Sequence, residues 1–108
     1  MLRTLSAVAL LTIPAAAQES PYWRGRTVTI VVGTTAGGGY DAYARMLGRF
    51  MGRHIPGNPT VVVQNMPGAA SNTMAGYVAT VAPKDGTVIG APFSTQPLAP
   101  ILEDAGAL

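Results

Sequence analysis

Residues Thr27 to Arg45 read TVTIVVGTTAGGGYDAYAR, and this stretch decides the fold. Thr27–Val32 is a short β-branched run of the kind that fills an interior parallel strand. Gly37, Gly38 and Gly39 then remove every Cβ from the turn, so a ligand can approach the backbone closely. A helix is expected to start near Tyr40–Asp41, and the first N–H groups of a helix have no partner within it. Those donors, with the positive end of the helix dipole, suit an anion such as a carboxylate or phosphate. The plainer use of the same glycines is to let strand and helix pack closely.

The alternation continues outward from this stretch. Asp41–Ile55 reads as the first helix, with Ala44, Leu47 and Met51 at helical spacing and Tyr43 and Phe50 flanking them on the same side. Arg45, Arg49 and Arg53 fall four apart on another face, as a solvated stripe or a docking surface for a membrane partner. Gly48 and Gly52 weaken the helix but admit a close neighbour. His-Ile-Pro-Gly-Asn-Pro, residues 54–59, ends it. Thr60–Gln64 is a second β-branched run with the pattern of a strand buried on both faces. The small-residue loop 65–72 leads into a second helix over about Asn72–Val81, with Ser71 or Asn72 as its N-cap. A turn at 82–86 precedes a third strand, Thr87–Ala91, and a third helix is expected around Leu98–Leu102. Upstream, Gln18–Arg26 is a polar lead-in whose Tyr22 and Trp23 should pack loosely against the first strand.

The order β-α-β-α-β implies right-handed crossovers and a parallel sheet with helices on its faces. Loops 33–40, 65–72 and 92–96 then share the carboxyl edge of the sheet, where open α/β folds bind ligands.

A chain of 108 residues allows one domain at most. Its first seventeen look removable: Arg3 gives a positive start, Leu5–Ile13 is a short apolar run, and Ala15-Ala16-Ala17 fits a cleavage site. The expectation is a mature chain from Gln18, soluble in the periplasm, where ATP and NAD are scarce. The absence of cysteine removes disulfides, thiol chemistry and cysteine metal sites. Charge is nearly balanced at a formal +2, and aromatic residues are only 6%, so nucleic-acid binding has no support.

The catalytic inventory is thin. His54 is the only histidine and lies at the far end of the first helix from the loops, with no second ligand candidate beside it. Asp41 is the only acid near the glycines, and it lacks a partner for general-base work. Its duller role is to help the helix start through its charge and to accept loop amides. Gly37-Gly38-Gly39-Tyr40-Asp41-Ala42 matches a loose G-x-G-x-x-A, but the second strand ends in Gln64-Asn65 without the ribose-binding acid. No Gly-Lys-Ser/Thr follows, and Asp41 would repel a pyrophosphate. No catalytic residue, metal or cofactor is therefore expected.

With these residues laid out, the sequence resembles the extracytoplasmic solute receptors of tripartite tricarboxylate transporters, the Bug family. The letters that carry the resemblance are Thr29-Ile30-Val31-Val32, Ala36-Gly37-Gly38-Gly39-Tyr40-Asp41 and Ala44-Arg45. Val62-Val63, Asn65-Met66-Pro67-Gly68-Ala69, Ala82-Pro83-Lys84-Asp85-Gly86 and Ile89-Gly90 follow in order. The resemblance implies an α/β half-lobe of a periplasmic-binding-protein (type II) fold, residues 18–108. It implies capture of a small organic anion, a mono- or dicarboxylate, for delivery to membrane permease subunits. Carried over by position, it nominates Ala36, Gly37, Gly38 and Asp41 in the first loop, and Thr34 or Thr35 would add a hydroxyl donor. In the second loop it nominates Asn65, Gly68, Ala69 and Ser71.

Two departures bear on the ligand. Many members have prolines where this chain has Gly33 and Thr35, and many have glycine where it has Ala70, whose methyl would tighten the pocket. Members are also much longer, so the resemblance implies an N-terminal fragment lacking a second lobe. The alternatives are an exported small α/β enzyme acting on an acyl or phosphoryl substrate, or a truncated relic whose glycine loop is only structural.

Overall fold

The structure, a computed structural model, describes residues 21–98 and 100–101. The expected leader, residues 1–17, lies outside them. Three parallel strands form one sheet: β1 (Thr27–Val32), β2 (Thr60–Asn65) and β3 (Val88–Ala91), in spatial order β2-β1-β3. Helix α1 (Gly39–Met51) connects β1 to β2, and helix α2 (Asn72–Thr80) connects β2 to β3. The first crossover runs one way along the sheet and the second runs back past β1. Right-handed connections therefore set α1 and α2 on opposite faces.

Packing follows that rule. Ile30, Val32 and Ala44 form the buried cluster under α1, joined by Met51, Val61, Val63 and Ala91. Gly48 is the close point, since a Cβ there would stand 3.1 Å from the Val63 side chain. On the other face Met74 and Val78 of α2 lie on Gly90 of β3, with Met74 fully buried. The register joins Val32 to Asn65 on one side and to Ala91 on the other, so all three strands end level.

Two expectations are corrected. Leu47, Tyr43 and Phe50 do not share the face of Ala44 and Met51; they are exposed, as is Met46. Helix α1 has large apolar residues on two sides, and only the side carrying the small Ala44 and Gly48 comes close enough to the sheet. The second correction concerns β2, which is not buried on both faces. Its residues alternate between exposed Thr60, Val62 and Gln64 and half-buried Val61, Val63 and Asn65, as an edge strand covered on one face does.

The described part of the lead-in makes its contacts at the amino edge of the sheet. The Trp23 ring lies over Gly86, the Tyr22 hydroxyl donates to the Asp85 carbonyl, and the Arg26 guanidinium stacks 4.1 Å from the Tyr22 ring. Asp85 also accepts from the Thr87 amide and hydroxyl, which fixes the turn before β3. Lys84 Nζ donates to the Val78 and Ala79 carbonyls at the end of α2, where a cation is favoured.

Strand limits agree with the sequence reading to within one residue, and α2 is one residue shorter than expected. Helix α1 ends at Met51 and tightens into a 3-10 turn over Gly52–His54. A 3-10 turn at Gln96–Leu98 opens the region where a third helix is expected; residues 100 and 101 are helical, and the rest of that expectation lies outside the described residues. Among the described residues no helix is long and apolar enough to cross a membrane.

Candidate functional site

The three carboxyl-edge loops meet, and side chains bind them to one another. Ser71 is the central joint. It is fully buried; its hydroxyl donates to the Gly33 carbonyl at 3.1 Å and accepts from the Phe93 amide at 3.0 Å. One oxygen thus links the ends of β1 and β3 to the start of α2. Gly33 has to be glycine for this, because a Cβ there would fall 2.6 Å from Ser71 Cβ.

Asp41 is the second joint. The residue is 4% exposed, and its carboxylate accepts from the Gly37 amide (2.9 Å), Arg45 Nε (3.0 Å) and Asn65 Nδ2 (2.9 Å). Asn65 Nδ2 also donates to the Thr34 carbonyl, while Asn65 Oδ1 accepts from Arg45 Nη2. Both Asn65 amide protons and its oxygen are therefore used. The network ties the glycine loop to α1 and to the end of β2.

Arg45 beside it, the Gly37 amide and Asn65 together hold the Asp41 carboxyl down to about 2, against the opposing effect of burial. A depressed folded-state value means the stabilisation is complete above the ordinary carboxylate range near ~4 and is lost as pH falls toward 2. Melting temperature is expected to stay level from pH 7 to 5 and to drop between pH 4 and 2. Asp41→Asn should flatten that drop when melts are followed by circular dichroism; an unchanged slope would remove Asp41 from this role.

The third contact uses Tyr40. Its hydroxyl donates to Ser94 Oγ and accepts from the Ser94 amide, and its ring meets Phe93 edge-on at 5.3 Å. Gln96 Nε2 donates to Asn72 Oδ1, joining the last loop to α2.

Of the nominated residues, Thr35, Ala36, Gly37, Gly38, Gly68 and Ala69 are exposed along the mouth, and Asn65 is half-buried beneath it. Asp41 and Ser71 are buried, and their side chains bond to protein partners that hold the loops together. The glycine turn needs a left-handed backbone at one residue. Gly37, at φ +92°, occupies the left-handed region, whereas Gly38 sits at −83°. Added Cβ atoms at Gly37 or Gly39 would meet nothing within 4 Å, and one at Gly38 only the Thr35 carbonyl at 4.0 Å. The space over the turn is open. The first helical bond runs from the Ala42 amide to the Gly38 carbonyl, so the amides of Gly39, Tyr40 and Asp41 precede it.

Ser71 precedes α2 as expected but does not cap it with its side chain, which is spent on Gly33 and Phe93. The chain enters α2 through a run of positive φ: Gly68 at 133°, Ala69 at 46°, Ala70 at 51° and Ser71 at 75°. Each non-glycine residue there costs about 1–2 kcal/mol. Ala70→Gly relieves that strain at about 0.5–1 kcal/mol of chain entropy, so a gain of several degrees in melting temperature is expected. A lower melting temperature would contradict the left-handed turn.

Tyr40, Arg45, Phe93 and Ser94 were not singled out for the site by the sequence. Arg45 stands four residues after Asp41, the spacing of a helical ion pair, which is the one local signal among them. No family model matches the chain, and no curated protein matches it.

Proposed function

We propose that this chain is a solute-binding receptor segment of the Bug type, its carboxyl-edge loops forming one wall of a site for a small mono- or dicarboxylate. On this reading the α/β unit is a half-lobe of a periplasmic-binding-protein (type II) fold. The bound anion passes to membrane permease subunits of a tripartite tricarboxylate-type transporter. The address belongs to the same proposal: a leader cleaved after Ala17 and a periplasmic mature chain, checked by N-terminal sequencing of periplasmic material.

The observation that carries the reading is the open space over Gly37–Gly39, beside the exposed mouth at Gly68–Ala69. Two helix N-termini, from opposite faces of the sheet, lead out of these loops. Amides and dipole ends of this kind favour a small anion. Asp41 does not oppose one, because Arg45 offsets its charge. The enzyme alternative loses support from the same carboxylate, which three donors hold as a weak base.

Calorimetry on the full chain with acetate, succinate and citrate, and with ATP and NAD as competitors, tests the proposal. A single wall should give carboxylate affinities of about 1 mM, some −4 kcal/mol. Gly38→Val fills the open space without forcing a positive φ, so it should weaken binding at least about tenfold and leave the fold intact. Unchanged binding in that variant, or a preference for nucleotides or cations, would overturn the assignment.

A further inference from the structure

We propose that the outer edge of β2, beneath Arg45 and Arg49 of α1, receives an extended acidic segment of another polypeptide as a fourth strand. β2 is paired only with β1, so its other side is an open ladder edge among the described residues. The Thr60 and Met66 amides both donate inward, to the Arg26 and Val32 carbonyls. By alternation the amides of Val61, Val63 and Asn65 point outward, ready for strand addition.

The surroundings of that edge select the chemistry of the incoming strand. A groove of about 390 Å³ runs along it, lined by Arg45, Gly48, Arg49 and Val61–Val63. Arg45 spends two of its five donors on Asp41 and Asn65, while Arg49 pairs with nothing among the described residues. No acid lines the groove. Residues of an added strand that lie beside Val61 and Val63 would come under Arg49, whose charge no described residue offsets, and should be acidic. Their neighbours on the opposite face would flank exposed Val62, 41% accessible, and should be β-branched. The fitting sequence therefore alternates acidic and apolar residues.

A second copy of this chain does not suit the edge. Twofold pairing of β2 with β2 keeps both α1 helices on one face and brings Arg49 of each copy, unpaired among the described residues, toward the other. A lipid surface would meet Arg49 but leave the outward amides unmatched. Arg49 thus turns away copies of this chain and admits an acidic strand.

The test uses the full chain and a labelled peptide, about eight residues long, of alternating glutamate and valine. Fluorescence anisotropy should register binding that weakens with salt. Arg49→Glu should weaken it at least about tenfold, and Arg49→Ala by less, with circular dichroism confirming that both are folded. The lysine–valine peptide, and a glutamate–valine peptide interrupted by proline, should not bind. Amide exchange at Val61 and Val63 should slow when the peptide is present. The proposal is overturned if the lysine peptide binds equally well, or if Arg49→Glu keeps its affinity. It is also overturned if phosphatidylglycerol vesicles bind in place of the peptide with the same Arg49 dependence, or if sedimentation finds the edge already taken by a second copy.

Discussion

Replacing Ser71 by alanine is expected to destabilise the protein by about 2–4 kcal/mol, because it strips the partner from two backbone groups at once. The Gly33 carbonyl loses its donor and the Phe93 amide loses its acceptor, at a position with no measurable exposure. Water has no direct route to replace the hydroxyl, so the cost is that of leaving the groups unsatisfied. Ser71→Gly separates the two contributions at this residue. It loses the same hydrogen bonds but relieves a φ of +75°, and should fall between alanine and the parent. Urea unfolding of the three proteins gives the comparison. If alanine costs less than about 0.5 kcal/mol, the buried hydroxyl is not the joint between the loops.

Gly33→Ala should be the other severe change, at about 3 kcal/mol. Its Cβ would stand 2.4 Å from Ser71 Oγ, 2.6 Å from Cβ and 3.2 Å from Cα. The last of these is backbone, so a rotamer change in Ser71 cannot clear the overlap; the β1 end and the α2 entry have to separate. Because both substitutions act on one contact, their effects should not add. Gly33→Ala combined with Ser71→Gly is expected to cost about 1–2 kcal/mol less than the sum of the two, measured by a double-mutant cycle. Strict additivity would place the strain of Gly33→Ala elsewhere.

The strands were legible because β-branched runs bounded by glycine and proline leave little choice, and Thr27–Val32 came out with both its limits. The convergence of the loops followed from topology alone, without any knowledge of their side chains. What sequence did not reveal depends on distance or on handedness. Ser71 bonds to residues 38 positions before it and 22 after it, and no local pattern encodes such a pair. Ala69 and Ala70 carry no conformational signature, yet both adopt a left-handed backbone. Asp41 was read as a helix-start charge and amide acceptor, and that half of the reading agrees with its bond from Gly37. Its bond to Asn65 could not be read, since it depends on β1 and β2 ending level. The wrong face assigned to Leu47 has a simple cause. A helix with Tyr43, Met46, Leu47 and Phe50 on one side and Ala44 and Met51 on another fits two helical phases, and small side chains decided between them.

The strand order has a consequence for how the chain is made. Among the described strands β1 is synthesised first and ends up in the centre, between two partners that arrive later. Residues 66–87, which separate β2 from β3, take about 1–4 s to be added at ordinary elongation rates. During that interval β1 can pair with β2, but its other ladder edge, Thr29–Val32, has nothing to bond to. A β-branched edge left open for seconds is a template for strands of neighbouring nascent chains. Polysomes crowded with this message are where such misparing would begin, and a chaperone that shields Thr29–Val32 until Val88–Ala91 emerges would raise the yield of folded protein.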